Sequence, residues 1–106
     1  MYIINYYLFI LSLLYMYNIT RYTYTQAKKL GVQVSPSTNK TKKIDVFKRG
    51  VKVASVGAVG YSDYPTYMKT RGTEYANNRR KLYKIRHESD RHVIGSAGYY
   101  ADKLLW

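Results

Sequence analysis

Hydrophobic and polar positions divide the chain into three parts. Residues 1–20 contain sixteen apolar or aromatic side chains and no charged one. Residues 21–42 are predicted to be a flexible linker, because the stretch GVQVSPSTNKTKK offers little that a core could bury. Residues 43–106 have regularly spaced apolar positions. We expect them to form one small basic α+β domain, in which a β-hairpin packs against two or three short helices.

A β-hairpin is predicted at the start of this domain. Ile44 and Val46 precede the turn sequence KRG at residues 48–50, and Val51 and Val53 follow it. On both sides of the turn, these apolar residues occupy every second position. Such alternation around a short turn is typical of two antiparallel strands, and the glycine can take the positive φ that the turn requires. Because two strands alone are marginal in water, one face of the hairpin should contact helices.

Helices are expected after the hairpin. Pro65 suits the first position of a helix, and the sequence PTYMKTR would form two turns that stop at Gly72. Thr73 is a good N-cap for a second helix, predicted from about Glu74 to His87. Residues 99–106, which are rich in apolar and aromatic side chains, should form a third, short helix that either closes the core against the hairpin or docks into another subunit.

Two arginines interrupt the apolar face of the second predicted helix. On a helical wheel, one half of this helix carries the apolar residues Tyr75, Ala76, Leu82, Tyr83 and Ile85. Arg79 and Arg86 fall in the middle of that half, where an unpaired charge would cost several kcal/mol. We therefore expect structural ion pairs with Asp63, or alternatively with Asp102. The other interpretation is that both arginines line a groove that accepts a phosphate or a partner's carboxylate.

The charge of the chain favours an acidic partner. Lys and Arg number 18 against 6 Asp and Glu, and the net charge is +12 at pH 7. This excess is typical of proteins that bind polyanions such as DNA, RNA or an anionic surface. The predicted contact residues are the outward cations of the hairpin tip and the helix: Lys48, Arg49, Arg80, Lys81, Lys84 and His87. With no base-reading element evident, binding should not depend on base sequence.

The sequence offers no convincing catalytic or metal-binding constellation. The chain has no cysteine, and its only two histidines, His87 and His92, do not share a helix face well, so we predict neither a metal nor a cofactor. A nuclease built on His87 and Glu88 is a distant alternative. A histidine at the end of a basic helix is more typical of a C-terminus, where it complements the helix dipole. The protein is therefore predicted not to be an enzyme.

The apolar residues 1–20 have three interpretations. They are long enough to span a membrane as a helix and would then anchor the protein. They would also suit a helix that is buried or lies at an interface. The third interpretation is an upstream extension that takes no part in the fold.

Three motifs in the domain resemble those of one protein family. They are GYSDY at residues 60–64, RRKLYKIRH at residues 79–87 and GSAGYYADKLLW at residues 95–106. In this order they resemble small basic proteins of unknown function from large double-stranded DNA viruses of algae and protists. The resemblance implies a viral origin.

Together with the charge, a viral origin predicts a non-enzymatic structural or packaging protein in the virion or the virus factory of the host cell. It would bind nucleic acid or an acidic capsid surface. The alternative is a minor virion or capsid protein that residues 1–20 tether to a membrane.

Overall fold

The computed structural model describes residues 17–106, which form a three-stranded antiparallel sheet and four helices. This arrangement confirms the predicted α+β class. The elements in chain order are α1 (Arg21–Leu30), β1 (Gln33–Pro36), β2 (Lys42–Lys48), β3 (Val51–Ala58), α2 (Tyr64–Arg71), α3 (Thr73–Arg86) and α4 (Ala97–Leu105).

The predicted membrane anchor falls mostly on residues 1–16, which lie outside the described residues. From Tyr17 onward, none of the helices combines the length and the apolar character that crossing a bilayer requires.

The prediction of a linker over residues 21–42 is wrong, because this segment supplies a helix and an edge strand. Thr20 caps α1 by accepting a hydrogen bond from the Thr23 N–H, and Gly31 ends the helix in the left-handed conformation. Thr23 and Ala27 of α1 are buried, and the Thr23 hydroxyl donates to the Leu104 carbonyl of α4 at 2.8 Å. The folded unit therefore extends well before residue 43.

The predicted hairpin is confirmed as β2 and β3, with Gly50 at φ 78° in the turn. Ile44 and Val46 of β2 are completely buried, whereas Val51 and Val53 of β3 are exposed. An irregularity in the register between Val46 and Phe47 interrupts the ladder at this point. The tip of the hairpin therefore extends beyond the core, and its apolar alternation does not mark a buried face.

Helix α4 closes the core against the sheet, as the first of the two alternatives for residues 99–106 predicted. Its Leu104 and Leu105 are fully buried and pack with Ile44, Val46 and other apolar residues of the sheet and α1. Gly57 of β3 has φ 83°, and a Cβ at this position would come within 2.7 Å of the Leu105 side chain. The glycine therefore lets α4 lie directly against the strand.

The buried carboxylate of Asp45 in β2 links the turn that follows β1 to strand β3. It accepts hydrogen bonds from the hydroxyls of Ser37 and Ser55, both at 2.6 Å, and from the Thr38 N–H at 3.2 Å. The Lys52 ammonium lies 3.3 Å away. Burial alone would raise the pKa of Asp45, but these donors together hold the pKa well below its usual range.

This network predicts loss of stability in acid. The folded-state pKa of Asp45 lies below its ordinary value of 3.8. The ionised carboxylate therefore stabilises the fold fully above pH 3.8. This stabilisation is lost as the pH falls from 3.8 through the folded-state pKa. Melting temperatures measured between about pH 5 and pH 2 should fall less steeply in Asp45→Asn than in the wild type. The exposed Asp90→Asn should follow the wild-type curve. Equal slopes for wild type and Asp45→Asn would contradict this role.

The boundaries of α2 and α3 are close to those predicted. Asp63 caps α2 through the Thr66 N–H, Pro65 lies in the first turn, and the helix ends at Gly72. The assignment of Thr73 as an N-cap is wrong, because Thr73 is already helical and Gly72 occupies the cap position without a side-chain hydrogen bond. Glycine tolerates the φ of 90° that this sharp junction requires.

The buried face of α3 differs from the predicted one. Ala76 and Tyr83 are buried, whereas Leu82 and Ile85 are 46% and 65% exposed. Aromatic contacts explain the difference, because Tyr83 stacks on Trp106 beside α4 with ring centroids 4.4 Å apart. These contacts rotate α3 so that part of its predicted outward basic face lies against the rest of the protein.

Candidate anion-binding pocket

A cavity of about 320 Å³ opens between β3 and helices α2, α3 and α4. We call it the basic pocket, and its cationic or ionisable nitrogen-bearing lining residues are Lys43, Arg79, Arg86 and His87. Its aromatic lining residues are Tyr61, Tyr67, Tyr83 and Trp106. No Asp or Glu of residues 17–106 lines it. An anion entering the pocket would therefore meet donors and flat apolar surfaces without an opposing carboxylate.

Stacked rings form one wall of the basic pocket. The Tyr83 ring lies between Trp106, at 4.4 Å and 8° between planes, and His87, at 4.3 Å and 26°. Burial raises the pKa of Tyr83 to about 12, with the Asp102 and Asp90 carboxylates adding to the shift. The phenol therefore stays neutral at physiological pH. The wall is preorganised, because each ring is held by its neighbours.

The predicted ion pairs of Arg79 and Arg86 with Asp63 are wrong, and Asp102 does not pair with these arginines either. The Arg79 guanidinium lies 5.6 Å from the centre of the Tyr67 ring, and its buried Nε has no hydrogen-bond partner among the residues described. Arg86 lies two turns further along α3, at the exposed side of the pocket. Within residues 17–106, neither guanidinium forms a salt bridge with a carboxylate.

Asp63 is already occupied by other partners. It is 1% exposed and accepts hydrogen bonds from the Lys43 ammonium at 2.9 Å and the Tyr17 hydroxyl at 2.6 Å. Burial alone would raise the pKa of Asp63, but hydrogen bonds from Thr66, Tyr17 and Lys43, together with the Lys43 charge, hold the pKa below its usual range. In turn, burial and Asp63 raise the pKa of Tyr17. The pair leaves Lys43 largely neutralised, so Arg79 and Arg86 supply the positive charge of the pocket.

The predicted basic contact residues do not form one surface. Arg80 turns inward, with its guanidinium 3.4 Å from the centre of the Tyr64 ring, and the Lys84 ammonium pairs with buried Asp102 at 2.7 Å. These two assignments as outward contacts are therefore wrong, because α3 is rotated. Lys48, Arg49 and Lys81 are exposed and line neither this pocket nor the second cavity described next. His87 lines the basic pocket itself.

A second cavity of about 240 Å³ adjoins the basic pocket. Both cavities are lined by Lys43, Tyr61 and Ser62, so the concave surface continues past the Tyr61 ring. The sequence reasoning did not assign Tyr61, Lys43 or Trp106 to a site. The only signal at the sequence level was the pair of arginines on an otherwise apolar helix face.

The arrangement supports anion binding. Among residues 17–106, no group of three or more His, Cys, Asp or Glu side chains is placed to hold a metal ion. Two guanidinium groups and several rings converge on one concavity, which is the chemistry that recognises phosphate groups and flat molecules. Comparisons of the chain with protein families, with curated proteins and with solved structures found no match.

Proposed function

We propose that this protein is a non-enzymatic viral structural or packaging protein that binds nucleic acid through the basic pocket without base-sequence specificity. The observation that carries the proposal is the placement of Arg79 and Arg86 in an aromatic cavity, with no carboxylate to pair with them among the described residues. Guanidinium groups suit phosphate because they donate in a planar fork.

The charge balance supports a polyanionic partner. The chain has 18 Lys and Arg side chains, and within residues 17–106 four of them form salt bridges with carboxylates: Lys43, Lys52, Lys84 and Arg91. The buried acids Asp45, Asp63 and Asp102 are all used internally. The remaining positive charge would attract a polyanion over long range and make binding strongly dependent on salt.

Nucleic acid is favoured over an acidic protein by the walls of the pocket. Carboxylates of an acidic partner would pair with the arginines but would make little use of Tyr61, Tyr67 and Trp106. Nucleic acids present phosphates together with bases, whose faces stack on aromatic side chains. The pocket chemistry therefore matches both parts of a nucleotide.

The viral assignment is supported by the motif resemblance and by where the motifs lie. The segments at 60–64, 79–87 and 95–106 each contribute lining residues to the basic pocket. Segments far apart in sequence thus converge on the proposed site. A nucleic-acid-binding pocket formed by all three motifs would be consistent with a packaging role for proteins that carry them.

Neutralising one pocket arginine should weaken binding. We expect Arg86→Gln to raise the Kd for a labelled oligonucleotide by about tenfold or more, since a hydrogen bond to a charged group contributes about 1.5–3 kcal/mol. Lys48→Gln is the matched control, because it removes the same charge from the hairpin tip outside the pocket. Fluorescence anisotropy at several salt concentrations measures both.

Three outcomes would count against the proposal. Equal weakening by Arg86→Gln and Lys48→Gln would indicate diffuse attraction in place of a pocket. Absence of salt-sensitive binding to any nucleic acid would remove the function itself. Binding to polyglutamate in preference to DNA and RNA would indicate an acidic protein partner.

A further inference from the structure

An exposed aromatic ring stands where the two cavities meet. Tyr61 is 76% exposed, and no other aromatic ring of the described residues stacks on it. Its backbone is fixed in a turn, with its N–H donating to the Ala58 carbonyl at 3.4 Å and Gly60 at φ 96° before it. A large exposed ring with open concave space beside it is an available stacking surface.

We infer that the basic pocket takes an unpaired nucleotide of a single-stranded nucleic acid, with the base stacked on Tyr61 and the phosphate held by Arg79 and Arg86. This inference rests on the proposed function and narrows it to one class of nucleic acid. Stacking on Tyr61 is tolerant of sequence, because every base has a π face. It therefore agrees with the absence of a base-reading element.

The shape of the site excludes duplex as the preferred partner. In a duplex each base is stacked on both faces and paired along its edge, so a base enters a concave site only after unstacking at a cost of a few kcal/mol. For an unpaired base this unstacking cost is small. The adjoining cavity of about 240 Å³ on the shared Tyr61, Lys43 and Ser62 lining gives the strand room to continue.

Arg79 and Arg86 lie beside the aromatic rings of the basic pocket, so a matching ligand carries a negative charge close to a flat ring. The Arg79 guanidinium lies near the Tyr67 ring, and its buried Nε lacks a hydrogen-bond partner among residues 17–106. Arg86 lies at the exposed side of the same concavity. A phosphate in the pocket would lie between two guanidinium groups that have no carboxylate partner among residues 17–106, and charge-assisted hydrogen bonds from them would hold it.

The test compares strand forms and Tyr61 variants in the full chain. A labelled single strand of about twelve nucleotides and the duplex of the same sequence are titrated by fluorescence anisotropy at one salt concentration. Tyr61→Ala should weaken single-strand binding by about 5- to 150-fold and duplex binding by less than about twofold. Tyr61→Phe keeps the ring and should bind as the wild type does. Because Tyr61 is mostly exposed, the alanine variant is expected to fold.

Tyr24→Ala is the control for a general loss of surface tyrosine, since Tyr24 is 52% exposed and lines neither cavity. It should leave single-strand binding unchanged. Equal affinity for single strand and duplex, or equal weakening of both by Tyr61→Ala, would overturn the inference while leaving the proposed function intact. Failure of both strand forms to bind would overturn the proposed function and the inference together.

Discussion

Replacing Asp63 with alanine should lower the free energy of unfolding by about 3–5 kcal/mol, because the change leaves a buried charge without its partner. Lys43 is 6% exposed, and its ammonium pairs with Asp63 at 2.9 Å. The same substitution removes the cap of α2 and the acceptor of the Tyr17 hydroxyl. Chemical denaturation followed by circular dichroism measures the loss.

Two further variants separate this ion pair from a general charge effect. Asp90→Ala removes an exposed carboxylate and should change stability by no more than about 0.5 kcal/mol. Adding Lys43→Met to Asp63→Ala should recover part of the loss, since the buried ammonium is then absent. An unchanged melting temperature in Asp63→Ala would contradict the role given to this carboxylate.

Truncating Leu104 to alanine should lower the free energy of unfolding by about 2–5 kcal/mol, as expected when a fully buried leucine is replaced by alanine. Leu104 is 0% exposed, and it packs in the core with residues of the sheet and α1. The Thr23 hydroxyl donates to its carbonyl, so the backbone on both sides of the contact is fixed. Urea denaturation midpoints measure the effect.

The control for Leu104→Ala is Ile94→Ala, which removes apolar atoms from a side chain that is 84% exposed. It should leave the midpoint within experimental error. If both substitutions had the same small effect, α4 would not be closing the core in solution. Docking of residues 99–106 into another subunit would then become the better interpretation.

The parts of the fold that were predictable depend on local chemistry. The KRG turn, Pro65 and Gly72 impose backbone conformations on their immediate neighbours, so the hairpin and the limits of α2 follow from the sequence. Helix α1 has such signals at its ends, in Thr20 and Gly31, but its interior has little that marks a buried face. Thr23 and Ala27 are small residues whose burial depends on α4 packing over them from the other end of the chain.

The sequence indicated the two unusual arginines of the site, but it did not indicate which residues they contact. Their position on the apolar half of α3 correctly marked Arg79 and Arg86 as unusual. Helical periodicity could not show that Lys43, in a different element, occupies Asp63. Nor could it show that Tyr83 and Trp106 stack, which rotates α3 and exposes Leu82 and Ile85. The stacking of rings that are distant in sequence determines which face of α3 is buried, whereas a helical wheel considers only the hydrophobicity of each position.

The most direct test of the central claim is an NMR titration of the isotope-labelled full chain with an unlabelled single-stranded oligonucleotide. The single tryptophan, Trp106, and Arg79 both line the basic pocket, and the indole N–H and the guanidinium Nε–H are their side-chain reporters. The account predicts saturable shifts of these two signals and of the Tyr61 amide, with little change at Lys48 and Arg49. Shifts confined to the hairpin tip, or none at saturation, would contradict it.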